Sequence, residues 1–122
     1  MFRRRKGASN ETFVAAVDAV EAAKRELMDA VPSPRGVPAR SLAGALLAFE
    51  EGLRAARQGM TDRHLPEAIR SSCTAAIDDA LGRAERLRLQ APVLDYEGLV
   101  AVLADLIAPL DAFAEAERTL AT

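Results

Sequence analysis

Ser41-Leu42-Ala43-Gly44-Ala45-Leu46-Leu47-Ala48-Phe49-Glu50-Glu51-Gly52-Leu53-Arg54-Ala55-Ala56-Arg57-Gln58-Gly59 carries the cleanest periodicity in the chain. Leu42, Ala45, Leu46, Phe49, Leu53 and Ala56 fall three or four residues apart, the spacing that lines up one face of a helix. The pattern predicts a helix over residues 41–58, with Gly59 as its left-handed C-terminal cap. The apolar stripe is narrow, as in a helix that buries one side and wets the other.

Upstream, Pro32-Ser33-Pro34-Arg35-Gly36-Val37-Pro38 forbids helix, because the residue before each proline is pushed out of helical geometry. Before it, Phe13, Ala16, Val17, Val20, Ala23, Leu27 and Val31 predict a first helix, capped by Ser9 or Asn10 and running to about residue 30. Glu21 and Arg25 form a favourable i, i+4 pair on its wet side. Downstream, Gly59-Met60-Thr61-Asp62 introduces a third helix that starts within residues 62–66 and runs to about residue 90. Pro66 is tolerated in its first turn, where a missing N–H matters little. Its stripe is Ile69, Cys73, Ala76, Ala80, Ala84 and Leu87, thin enough in the middle for a neighbour to approach closely.

Ala91-Pro92-Val93-Leu94-Asp95 ends that helix, and Asp95 caps a fourth. Here the apolar arc is wide (Leu99, Val100, Val102, Leu103, Leu106, Ile107, Leu110, Phe113, Leu120), as in a helix touching more than one neighbour. Pro109 removes one backbone hydrogen bond and crowds the carbonyl of Asp105, so a bend is expected there. Four helices with short connections predict an all-α, antiparallel four-helix bundle, up-down-up-down. Residues 1–9 are expected to be a disordered basic arm and residues 10–122 a single helical-bundle domain.

A chain of 122 residues buries about two-thirds of its unfolded surface and needs no disulfide or metal to fold. Half its residues are apolar but only 4% aromatic, so the core is built from Leu, Val, Ile and Ala. One cysteine cannot close an intramolecular disulfide, which fits a reducing compartment. The longest apolar run, residues 99–110, is interrupted by Asp105 and Pro109 and is too short for a membrane span. The basic start, Phe2-Arg3-Arg4-Arg5-Lys6, is followed by Ser9, Asn10, Glu11 and Thr12 and not by the apolar stretch of a signal peptide. The chain is therefore expected to be soluble and cytoplasmic.

The net charge of −2 is unevenly placed: residues 3–6 hold four of sixteen basic groups, leaving twelve basic against eighteen acidic elsewhere. From Asp95 onward six acidic residues face Arg118 alone. An acidic body argues against broad nucleic-acid binding and leaves only Arg3, Arg4, Arg5 and Lys6 for an anionic partner, nucleic acid or membrane.

Residues able to carry chemistry are few. His64, the only histidine, sits near a helix start in Arg63-His64-Leu65-Pro66-Glu67-Ala68. It lacks the Lys-Gly pair that follows the phosphoacceptor of helical phosphotransfer modules, and reads as a surface histidine. A di-iron bundle needs Glu-x-x-His on two helices, which one histidine cannot supply. Glu50-Glu51 and Asp78-Asp79 are adjacent pairs that split around their helices, and are read as solvated charges. Cys73 lies on an apolar stripe with Arg70 as its nearest cation, and reads as a small buried hydrophobe. Lys24 interrupts the first stripe and Glu117 the fourth. Antiparallel packing sets Lys24 level with about residue 107, so the two do not meet and Lys24 snorkels from a stripe edge.

Two ridges of small residues stand off the stripes: Gly44, Ala48 and Gly52 on the second helix, and Ala104, Ala108 and Ala112 on the fourth. Such ridges let helices approach closely. With Leu47, Leu81 and Leu89, also off the core stripes, they mark the outer faces of the second and fourth helices as the candidate interface. The expected function is a small non-catalytic protein–protein interaction or regulatory module, homodimeric or bound to another protein. The alternative is an accessory protein tethered to nucleic acid or anionic membrane by its basic arm. No cofactor, metal ion or small-molecule substrate is expected, and a catalytic pocket at Pro109 ranks last because no nucleophile–base pair is recognisable.

Overall fold

The structure, a computed structural model, describes residues 8–31, 41–90 and 94–121. It is all-α, a four-helix bundle whose fourth helix runs in two segments. The elements are α1 (Ala8–Met28), α2 (Leu42–Gly59), α3 (Glu67–Gln90), α4 (Tyr96–Ile107), a 3₁₀ turn (Ala108–Leu110) and α5 (Asp111–Ala121). α1, α2, α3 and the two-segment fourth helix neighbour one another in sequence order and run antiparallel, and α1 meets α4 and α5 to close the ring. One apolar cluster draws on every helix, with Phe13, Val20 and Leu27 from α1 against Leu46, Phe49 and Leu53 from α2. Cys73, Ile77 and Ala80 of α3 and Leu103, Leu106 and Phe113 of α4 and α5 complete it. Among the described residues no helix is long and apolar enough to cross a membrane.

Helix starts follow local chemistry. The Ser41 side chain accepts a hydrogen bond from the Gly44 amide at 3.1 Å, and the Asp95 carboxylate accepts one from the Gly98 amide at 2.7 Å. Each satisfies an amide that the first helical turn leaves without a partner. At Pro109, where a bend is expected, the chain tightens into the 3₁₀ turn and helix resumes as α5 at Asp111. Leu110 remains buried through the turn, so the chain keeps its core contact there.

Several boundaries differ from the sequence pattern. α1 already begins at Ala8, so Ser9 and Asn10 lie within it and not at its N-cap position. Residues 1–7, which hold Arg3, Arg4, Arg5 and Lys6, lie outside the described residues. α3 begins at Glu67, with Pro66 just outside, because a separate turn occupies residues 60–66. Met60 and Leu65 in that turn are both buried, sealing one end of the bundle.

Gly59 is the clearest correction. It belongs to α2 itself, and Met60 caps the helix in right-handed geometry. A Cβ at residue 59 would lie 3.3 Å from Ala16 Cβ and 3.4 Å from Thr12 Cγ2, so the glycine serves the approach of α1. Gly52 does the same one level along: a Cβ there would stand 2.8 Å from Ala23 Cβ. At Gly52, therefore, the small-residue ridge of α2 is used inside the chain, against α1, and not on an outer face.

Candidate functional site

With α1 drawn onto α2 at Gly52 and Gly59, and α4 laid on α3, the α1–α4 seam is the loosest in the ring. At one end the rings of Phe13 and Phe113 close it, stacked with centroids 6.1 Å apart. Toward the end of α1 and the start of α4 no such pair spans the gap, and an apolar groove of about 420 Å³ opens. Leu27, Met28 and Val31 form one wall. Tyr96, Val100, Leu103, Ala104 and Ile107 form the other. Its rim is unusually apolar for a surface: Met28 is 57% exposed, Tyr96 59% and Val100 41%.

Lys24 is the one charged residue among the described residues lining the groove. Its ammonium lies 3.2 Å from the Glu21 carboxylate on the same helix, and Glu117 is an exposed residue of α5. The lysine stem can thus cover apolar surface while its head stays at the rim. Of the small residues singled out in the sequence, Ala104 lines this groove, Ala108 is exposed just beyond it and Ala112 is half-buried. Gly44 and Ala48 are half-buried on α2, and neither lines the groove. Leu47 and Leu89 are exposed on other faces, whereas Leu81 packs against the core. The sequence showed the wide apolar arc of the fourth helix, but not which part of it would stay uncovered.

The acidic pairs separate as their spacing demands, with one surprise. Asp78 accepts two hydrogen bonds from Arg57 across the α2–α3 seam, at 2.8 and 3.2 Å, and Arg57 holds its carboxyl below the usual range. Asp79 turns to Arg83 on its own helix at 2.8 Å. Glu51 is exposed, but Glu50 is only 1% exposed, so it is not a solvated charge. Arg88 of α3 donates to both its oxygens, Nε at 2.8 Å and Nη2 at 3.2 Å, and Arg54 Nη2 lies 3.5 Å away. The planar guanidinium matches a carboxylate edge-on, which makes burial tolerable. This pair ties α2 to α3 and takes no part in the groove.

His64 lies exposed in the turn before α3. Its backbone N–H donates to Asp62 Oδ1 at 2.9 Å and its Nδ1 lies 3.0 Å from the same oxygen. These contacts hold the Asp62 carboxyl below its ordinary range, helped by the Thr12 hydroxyl of α1. The pair organises a turn. Among the described residues no three His, Cys, Asp or Glu side chains gather where they could hold a metal ion.

Cys73 is fully buried, and burial pushes its thiol up from 9.0 to about 11. Its candidate activator, Arg70, pairs instead with Glu67. Below pH 9 the thiol is neutral in both folded and unfolded chains and leaves stability unchanged. Between pH 9 and 11 only the unfolded chain ionises, so stability falls as pH rises. Thermal melts near pH 8 and again near pH 10 should show a larger alkaline loss for the native chain than for Cys73→Ala. Equal losses would mean the thiol titrates freely.

No family model matches the chain, and comparison with curated proteins and with solved structures finds no match.

Proposed function

We propose that this is a cytoplasmic, non-catalytic interaction or regulatory module that binds a second copy of itself or another protein through the outer face of α4. The observation that carries the reading is the run Tyr96, Val100, Ala104 and Ala108, exposed at four-residue spacing along that face and continued by Met28 on α1. A helix surface with that run of apolar and small side chains suits close helix–helix contact, and an exposed apolar patch of this kind marks interaction sites. The catalytic alternative finds no support in the groove, whose titratable lining residues are Lys24 and Tyr96.

Ala108 lies outside the groove lining and is exposed, so a charge there should leave the fold alone. Native mass spectrometry of the full chain should show a dimer or a bound protein for the native sequence. Ala108→Glu should weaken that association about a hundredfold with an unchanged helical circular-dichroism spectrum. Association that survives the glutamate would remove α4 from the interface.

A further inference from the structure

We propose that the α1–α4 groove binds an anionic amphiphile, an apolar chain of fatty-acid type whose carboxylate rests on the Lys24 ammonium. The inference rests on the reading that this module works by binding, and it concerns the recess, whose rim shares Met28, Tyr96, Val100 and Ala104 with the proposed interface while Ala108 lies outside the recess. Its volume, about 420 Å³, lies within the range of small-molecule sites, which are mostly apolar with a few polar groups to fix orientation. The α4 wall extends from Tyr96 to Ile107, about 16 Å at 1.5 Å per residue, so the recess is elongated. Aliphatic side chains such as Leu27, Val100 and Leu103 line it and offer nothing to a polar ligand body.

The charge is placed for one head group. An ammonium has three donors, and Glu21 takes one at 3.2 Å. Glu21 is itself exposed, so that pair is weak and readily shared. A carboxylate arriving with its chain in the groove would meet Lys24 beside apolar surface, where water competes less than in the open. A cationic head on the same chain would find no carboxylate in the groove lining and would have to take Glu21 from Lys24.

The test compares three probes with one chain length, dodecanoate, dodecan-1-ol and dodecyltrimethylammonium, titrated calorimetrically below micelle formation. Tyr96, the only tyrosine in the chain, lines the groove and supplies an independent fluorescence signal. Dodecanoate should bind about tenfold more tightly than the trimethylammonium probe, with the alcohol between. Lys24→Met should erase the difference between charged probes, and Ala104→Trp should reduce dodecanoate binding about tenfold by filling the groove. Should Ala104→Trp fail to fold, the Lys24→Met comparison decides alone. Equal binding of both charged probes by the native chain overturns the proposal, as does no binding at all. A Tyr96 signal that follows protein concentration instead of dodecanoate would put a second copy in the groove and overturn it too. Ala108→Glu should bind dodecanoate like the native chain, so loss of association and loss of ligand are separable results.

Discussion

Gly52→Leu is expected to lower the stability of the fold by about 3 kcal/mol, seen as a lower urea midpoint with an unchanged slope. The cause lies in the distance between helices. Even a single methyl at residue 52 would stand 2.8 Å from Ala23 Cβ and 3.4 Å from the Ala19 carbonyl oxygen. The first distance is inside van der Waals contact, and Ala23 Cβ belongs to the body of α1 instead of a flexible side-chain end. Gly52→Ala sets two effects against each other: better helix propensity, about 1 kcal/mol in favour, against that overlap. Combining Gly52→Ala with Ala23→Gly moves the methyl from one helix to the other, and should recover most of what Gly52→Ala loses.

Gly82 provides the contrast, because a Cβ there meets only the far end of Arg86 at 3.5 Å. Gly82→Ala should therefore stabilise the chain, by roughly 0.5–1 kcal/mol. Equal responses at the two glycines would mean that α1 and α2 do not approach closely at Gly52.

Arg88→Met should be nearly as damaging, while Glu50→Leu at the other end of the same ion pair should be mild. The asymmetry follows from burial: Glu50 is 1% exposed, whereas the Arg88 side chain is 26% exposed at the edge of α3. Without Arg88 the Glu50 carboxylate stays buried with only Arg54 at 3.5 Å, and stranding it is expected to cost about 3 kcal/mol. Glu50→Leu removes the buried charge and lets Arg88 turn to water, with an expected loss of about 1 kcal/mol or less. The double variant should come close to the native stability. Equal losses in both single variants, measured by urea denaturation, would show that the carboxylate is not the buried member.

Helix content and helix ends were readable from short-range chemistry. The stripe from Leu42 to Ala56, the cap at Asp95 and the interruption at Pro109 all rest on interactions within a few residues, so the linear order of the chain contains them. Where local chemistry allowed two answers, the pattern misled. Gly59 can end a helix or admit a neighbour, and only the position of α1 over Ala16 and Thr12 selects the second role. Ser9 and Asn10 have the right side chains to cap α1, yet the helix already runs through them from Ala8.

The groove escaped the sequence for a related reason. Val100, Leu103 and Ile107 share one wide apolar arc, and periodicity treats all three alike. In the fold Leu103 is buried, Ile107 half-buried and Val100 exposed, because the part of the arc that holds Val100 lines the open α1–α4 seam.

By itself the sequence determined that the chain is helical, where the helices break and which face of each is apolar, since these follow from propensity, capping and a 3.6-residue repeat. Only the tertiary structure decided which neighbour each face meets and at what distance. It sets Gly52 against Ala23, buries Glu50 under a guanidinium 38 residues away and leaves the α1–α4 seam open. Those outcomes depend on volumes and charges that meet only after distant segments pack, and a periodic pattern carries no record of that distance.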